Sequence, residues 1–131
     1  MSNRLIPEII RKDLEQFMTK PNPYRSLLDK WILVGHTPVE VGIEEWGRWF
    51  QDHNAERIIG SDTVGEENVS TVFLGIDHGY LTYGKDHIPV LFETMIFGGE
   101  HDQWCERWRS WDEARMGHLK TVLKLRRGTL K

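Results

Sequence analysis

With one cysteine in 131 residues, Cys105, the chain cannot form an intrachain disulfide. The fold must then rest on packing and hydrogen bonds, and a reducing cytoplasm suits it. No apolar run approaches the roughly eighteen residues that a membrane-spanning helix needs. The N-terminus, MSNRLIPEIIRK, lacks the hydrophobic block of a signal peptide. Neither C-x-x-C nor H-E-x-x-H occurs, and GGEHDQW (98 to 104) lacks the glycine spacing and the lysine of a phosphate loop. No internal repeat and no low-complexity tract interrupts the chain. These absences remove the standard zinc, redox and nucleotide-loop signatures, and no cofactor or metal site is read from the sequence.

Charge is scarce in one sign at one end. Residues 115 to 131 contain six bases and no acid, whereas residues 32 to 114 contain 16 acids and 5 bases, a net charge of -11. The basic end suits a helix C-terminus, where the dipole favours cations. It also suits attraction to the acidic body, or to a phosphorylated ligand or acidic partner. The acidic body opposes extended wrapping of nucleic acid.

What is present fits one compact α+β unit. Residues 7 to 20 carry Ile10, Leu14, Phe17 and Met18 at helical spacing, and Pro7 suits a first turn. Residues 1 to 30 read as a helical arm or cap, and residues 31 to 131 as the core. Trp31 to Val34 and Val39 to Val41 suit short extended pieces around Gly35-His36-Thr37-Pro38. Ile43, Trp46, Trp49 and Phe50 mark one face of a helix. From Arg57 the period becomes two. RIIGSDTV, VSTVFLGI, VLFETMIF and CERW predict four consecutive strands, most simply an antiparallel meander in a sheet of four or five. A longer loop is expected from Asp77 to Pro89. The chain then closes with SWDEARMGHLKTVLKLRR, a helix capped by Ser110 with Glu113 three residues on. Gly117 lowers its propensity but would let it lie close to the sheet.

The groups with chemistry are few. Glu93 sits within an apolar strand, where an unpaired carboxylate is costly, and Arg107 on the next strand is its natural partner. Asp77 and His78 stand where a strand becomes a loop. His118 lies on the apolar stripe of the last helix, in position to bond a carboxylate such as Glu93 or Asp77. Asp77, His78, Glu93, Arg107 and His118 are therefore the ligand-binding candidates. All but Arg107 are the acid–base candidates of an enzyme. Cys105 reads as a small core thiol, although Arg107 and Arg109 nearby would lower its pKa. Of six tryptophans, most suit the core. Trp104 and Trp111, with Arg126 and Arg127, are the interaction-surface candidates.

The segments EEWGRWF, VSTVFLGIDH, PVLFETMIFGG and CERWRSWDEARMGHLKTV resemble a family of small, mostly uncharacterised proteins encoded by bacteriophages and prophages. The resemblance spans roughly residues 39 to 125 and implies a phage accessory protein in the bacterial cytoplasm. It carries no catalytic assignment to any position. The expected function is non-enzymatic binding of a host protein or a small phosphorylated, nucleotide-like ligand, in a homo-oligomer. The alternatives are a small hydrolase using carboxylate and histidine groups, with or without a divalent metal, and a structural phage component.

Overall fold

The computed structural model describes residues 30–79 and 88–131. The expected N-terminal arm with its helix, and the middle of the loop after Asp77, lie outside those residues. The described chain is α+β, and its element order follows the sequence pattern closely.

Strands β1 (Lys30–Val34) and β2 (Thr37–Val41) form an antiparallel hairpin. Gly35 closes it with φ 64°, a conformation that costs a glycine little. Helix α1 (Ile43–Asp52) follows, with its apolar face led by buried Trp49. A 3-10 turn (Asn54–Arg57) leads to the main sheet. Strands β3 (Ile58–Val64), β4 (Glu67–Phe73), β5 (Phe92–Phe97) and β6 (Cys105–Trp108) pair antiparallel in the order β3-β4-β5-β6. This is the expected meander. The hairpin stays outside it as a separate two-stranded sheet, joined through a single bridge between Lys30 and Ile76.

Helix α2 (Trp111–Arg127) crosses one face of the four strands. Ser110 caps it, its side chain accepting the Glu113 N–H at 3.1 Å. The returning arm of the capping box differs from expectation, because the Ser110 hydroxyl donates to Glu113 Oε1 at 3.3 Å. At the other end Gly128 adopts φ 68°, and the Gly128 and Thr129 amides close onto Leu125 and Lys124. That is the left-handed stop that frees a helix end of orphan carbonyls.

The strand alternation decides which side chains α2 covers. Val69, Thr71 and Phe73 of β4, and Phe92, Thr94 and Ile96 of β5, are buried beneath it. From α2 come Ala114, Gly117, His118, Thr121 and Val122, the i, i+3, i+4, i+7, i+8 stripe of a packed helix. Fully buried Phe73 and Phe92 each contribute about 2 kcal/mol through area removed from water. Two glycines set the spacing. A Cβ on Gly117 would enter the Trp108 ring, and one on Gly60 would stand 2.6 Å from His118 Nε2. The helix therefore sits close because Gly117 lets Trp108 beneath it, and His118 reaches the sheet because Gly60 leaves it room.

Gly75 ties the hairpin and α1 to this body. Its carbonyl accepts from Trp31 N at 2.9 Å and Trp46 Nε1 at 3.0 Å. No helix among the described residues is long and apolar enough to cross a membrane.

Candidate functional site

Between β4, β5 and α2 runs a buried line of polar side chains. Trp108 Nε1 donates to Thr94 Oγ1 at 3.0 Å. Thr94 and Thr71 meet at 2.6 Å, Thr71 meets His118 Nδ1 at 2.7 Å, and His118 Nε2 reaches Asp62 Oδ2 at 2.6 Å. The register builds it: Thr71 pairs with Gly60 on one side and Thr94 on the other, and Thr94 with Glu106. One row of the sheet thus aligns the two hydroxyls below His118.

The direction of the line follows from its ends. An indole N–H only donates and an ionised carboxylate only accepts. With a neutral His118 ring every proton between them points the same way, from Trp108 through Thr94 and Thr71 to His118, and from His118 to Asp62. In that arrangement His118 carries its proton on Nε2 and accepts at Nδ1. All five groups are satisfied, which a buried polar network requires. His118, Thr71 and Thr94 have no exposed surface, whereas the Asp62 side chain is 46% exposed. The hydrogen bond from His118 holds the Asp62 carboxyl below its ordinary 3.8 against the cost of burial, and the charge of a protonated His118, then Arg126 and Arg115, lower it further.

His118 does bond a carboxylate, but not one of the two expected. Both its ring nitrogens are occupied, by Asp62 and by Thr71. Glu93 falls on the face of β5 turned away from α2, opposite Arg107, whose Nε donates to Glu93 Oε2 at 2.9 Å. The expected Glu93–Arg107 pairing is therefore present, with Glu93 13% and Arg107 47% exposed. Asp77 is buried, and its Oδ1 accepts the Gly79 and Val90 amides at 2.7 and 2.8 Å. It thereby ties together the two sides of its loop. His78 Nδ1 donates to the Ile76 carbonyl at 2.8 Å. The four acid–base candidates thus do not gather into one site. Among the described residues no three His, Cys, Asp or Glu side chains stand together as a metal-ligand set.

Cys105 corrects a second expectation, since it is exposed on the face carrying Glu93. Partial burial pushes its thiol above the ordinary 9.0, and Glu93 adds to this against the opposing pull of Arg107. The arginine is already engaged by Glu93, so it does not activate the thiol.

A concave feature of the described surface lies elsewhere. A groove of about 320 Å³ runs between β6 and α2, lined chiefly by Trp104, Glu106, Trp108, Met116, Lys120 and Lys124. Glu113, Gly117, Thr121 and Leu130 complete its lining. Trp108 is shared by groove and polar line. Trp104, an expected surface residue, packs on the cluster of Val69, Ile96 and Val122 and forms one groove wall. Trp111 is half-buried and stacks with His36, ring centroids 3.5 Å apart. Arg126 and Arg127 are exposed in the last turn of α2. At the same end of the sheet, Glu67 Oε2 accepts from His101 N and Nδ1, and His101 Nε2 meets the Leu130 carbonyl at 3.3 Å. That contact pins the chain after α2 beside the groove.

Asp62, Thr71 and Thr94 are the polar residues that the sequence reading passed over. A signal existed for Asp62, because alternation along RIIGSDTV puts it on the inward side with Gly60 and Val64. Comparison with protein-family models, with curated proteins and with solved structures finds no match to this chain.

Proposed function

We propose that the chain is a non-enzymatic binding protein that holds its target in the groove between β6 and α2. The observation that carries this is the composition of the groove. Two indole rings and Met116 offer an apolar, stacking surface, and Lys120 and Lys124 stand beside it, with Glu106 and Glu113 completing the charged lining. Such a lining suits a host molecule that combines a flat or apolar group with an acidic one, a phosphorylated ligand included. A phage or prophage accessory role in a bacterial host is the origin implied by the resemblance of VSTVFLGIDH and LFETMIFGG.

The test is tryptophan emission of the full chain titrated with nucleoside mono-, di- and triphosphates, sugar phosphates and acidic peptides. Saturable quenching is expected with at least one class, weakened tenfold or more in Lys120→Glu/Lys124→Glu. If wild type and double variant respond alike to every probe, the groove is not the site.

A second reading, a small acid–base hydrolase, is favoured by the order Asp62, His118, Thr71, which is that of an orienting carboxylate, a base and a hydroxyl. Thr71 has no exposed surface, so a substrate would meet Asp62 first. Hydrolysis of p-nitrophenyl esters and phosphates that disappears in Asp62→Asn, assayed at a temperature where both proteins are fully folded, would support it. Equal residual rates in both proteins would reject it.

A further inference from the structure

Strand β6 ends the sheet. Among the described residues it has a partner on one side only. The carbonyls of Trp104 and Trp108 point to β5, accepting from Ile96 N and Leu91 N at 2.9 and 3.2 Å. Backbone direction alternates along a strand, so the N–H and C=O groups of Cys105 and Arg107 point outward. The side chains of Trp104, Glu106 and Trp108 line the groove beneath α2. An open backbone edge and a side-chain groove therefore lie next to each other, in the same two-residue rhythm.

We propose that this edge is a strand-addition site for an extended peptide of a partner protein. This rests on the binding reading above and names its target. Such a peptide would exchange main-chain hydrogen bonds with Cys105 and Arg107. Its alternate side chains, about 7 Å apart, would enter the groove.

Charge and polarity select the occupant. Trp108 packs on Gly117 and Trp104 packs on the cluster that holds Val122, so α2 runs antiparallel to β6. The groove therefore has an acidic end at Glu113, a basic end at Lys120 and Lys124, and Glu106 on the strand between the two indoles. The fitting peptide carries an apolar or aromatic residue, not an acid, beside Glu106 between the two indoles, and an Asp or Glu at the Trp104 end. A second copy fits badly. Twofold antiparallel pairing of β6 with itself keeps each face together, so a residue on the axis meets its own copy. The two central registers set Glu106 against Glu106 or Arg107 against Arg107, like charges in direct opposition. Arg107, the charge that would guard the edge, is held on the far face by Glu93. The opposite edge, β3, is bulged between Ile58 and Gly60 and is a poorer template.

The test selects from displayed heptapeptides with Thr at alternate positions and the others randomised, using the immobilised full chain. Enrichment of an aromatic or apolar residue two positions from an Asp or Glu is expected, and Lys120→Glu/Lys124→Glu should abolish it. The selected peptide is then titrated into the ¹⁵N-labelled chain. The amides of Cys105 and Arg107 should exchange with solvent at least tenfold more slowly, and N-methylation of the peptide's edge-facing amides should weaken binding tenfold or more. Binding that leaves those two amides unprotected, or that tolerates N-methylation, overturns strand addition but leaves groove binding standing. Protection that appears without peptide as protein concentration rises overturns it in favour of self-pairing. No enrichment, with phosphorylated probes still quenching the tryptophans, overturns the peptide alone; silence from both overturns the binding reading as well.

Discussion

Gly47 and Gly117 are both helical glycines, yet their surroundings differ completely. A Cβ at Gly47 would meet nothing within 4 Å, whereas one at Gly117 would enter the Trp108 ring. Alanine is the better helix former by about 1 kcal/mol. Gly47→Ala is therefore expected to stabilise the protein by about 0.5–1 kcal/mol. Gly117→Ala should destabilise it by about 1–3 kcal/mol, because overpacking outweighs propensity. Urea denaturation of the two variants decides the matter, and opposite signs are the expected result. Cys105 offers a second test at this scale. Its thiol stays protonated at neutral pH because partial burial and Glu93 disfavour the thiolate. Reaction with a disulfide reagent should therefore be slow at pH 7 and rise above pH 9, and Glu93→Gln should move the midpoint of the rate profile downward.

At the scale of elements, the polar line decides how α2 sits on the sheet. A buried hydrogen bond contributes little net, but an orphaned partner costs about 1–3 kcal/mol. Thr71→Val would strand His118 Nδ1 and the Thr94 proton, and Thr94→Val would strand the Trp108 N–H. Each is expected to cost within that range. The double variant should cost less than the sum of the two, since the middle bond is lost only once, with a coupling on the order of 1 kcal/mol in a double-mutant cycle. Additive losses would mean that the threonines act separately. The elements themselves were legible. Period-two alternation located the four strands, and the Ser110 cap located α2. The hairpin of β1 and β2 was legible as two extended pieces but not as a sheet of its own. Its joining the main sheet depended on pairing with segments over forty residues away, and among the described residues one isolated bridge, Lys30 to Ile76, links them.

For the whole molecule, acid stability should report the link between β3 and α2. The Asp62 carboxyl is depressed below its ordinary 3.8 in the folded protein. A depressed acid contributes stability above its unfolded value, and that contribution is lost as pH falls through the folded value. Urea midpoints should therefore hold down to about pH 4 and fall below it. In Asp62→Asn the fall between pH 4 and pH 2 should be shallower, although the variant starts less stable at pH 7. Parallel curves for the two proteins would remove Asp62 from the account.

Local chemistry was enough to place the strands, the Ser110 cap and the Glu93–Arg107 pair, because alternation, capping and neighbouring strands of a meander act over short stretches of chain. It was not enough to choose the partner of His118. Asp62 lies 56 residues away, and Glu93 and Asp77 were equally good carboxylates by composition. Three long-range facts made the choice: the register that put Thr71 opposite Gly60, the space that Gly60 leaves for an imidazole, and the face of β5 that carries Glu93 away from α2. The groove was out of reach for the same reason. Trp104, Trp108 and Lys124 belong to different elements, and only the close crossing of α2 over the sheet, permitted by Gly117, brings their side chains around one space.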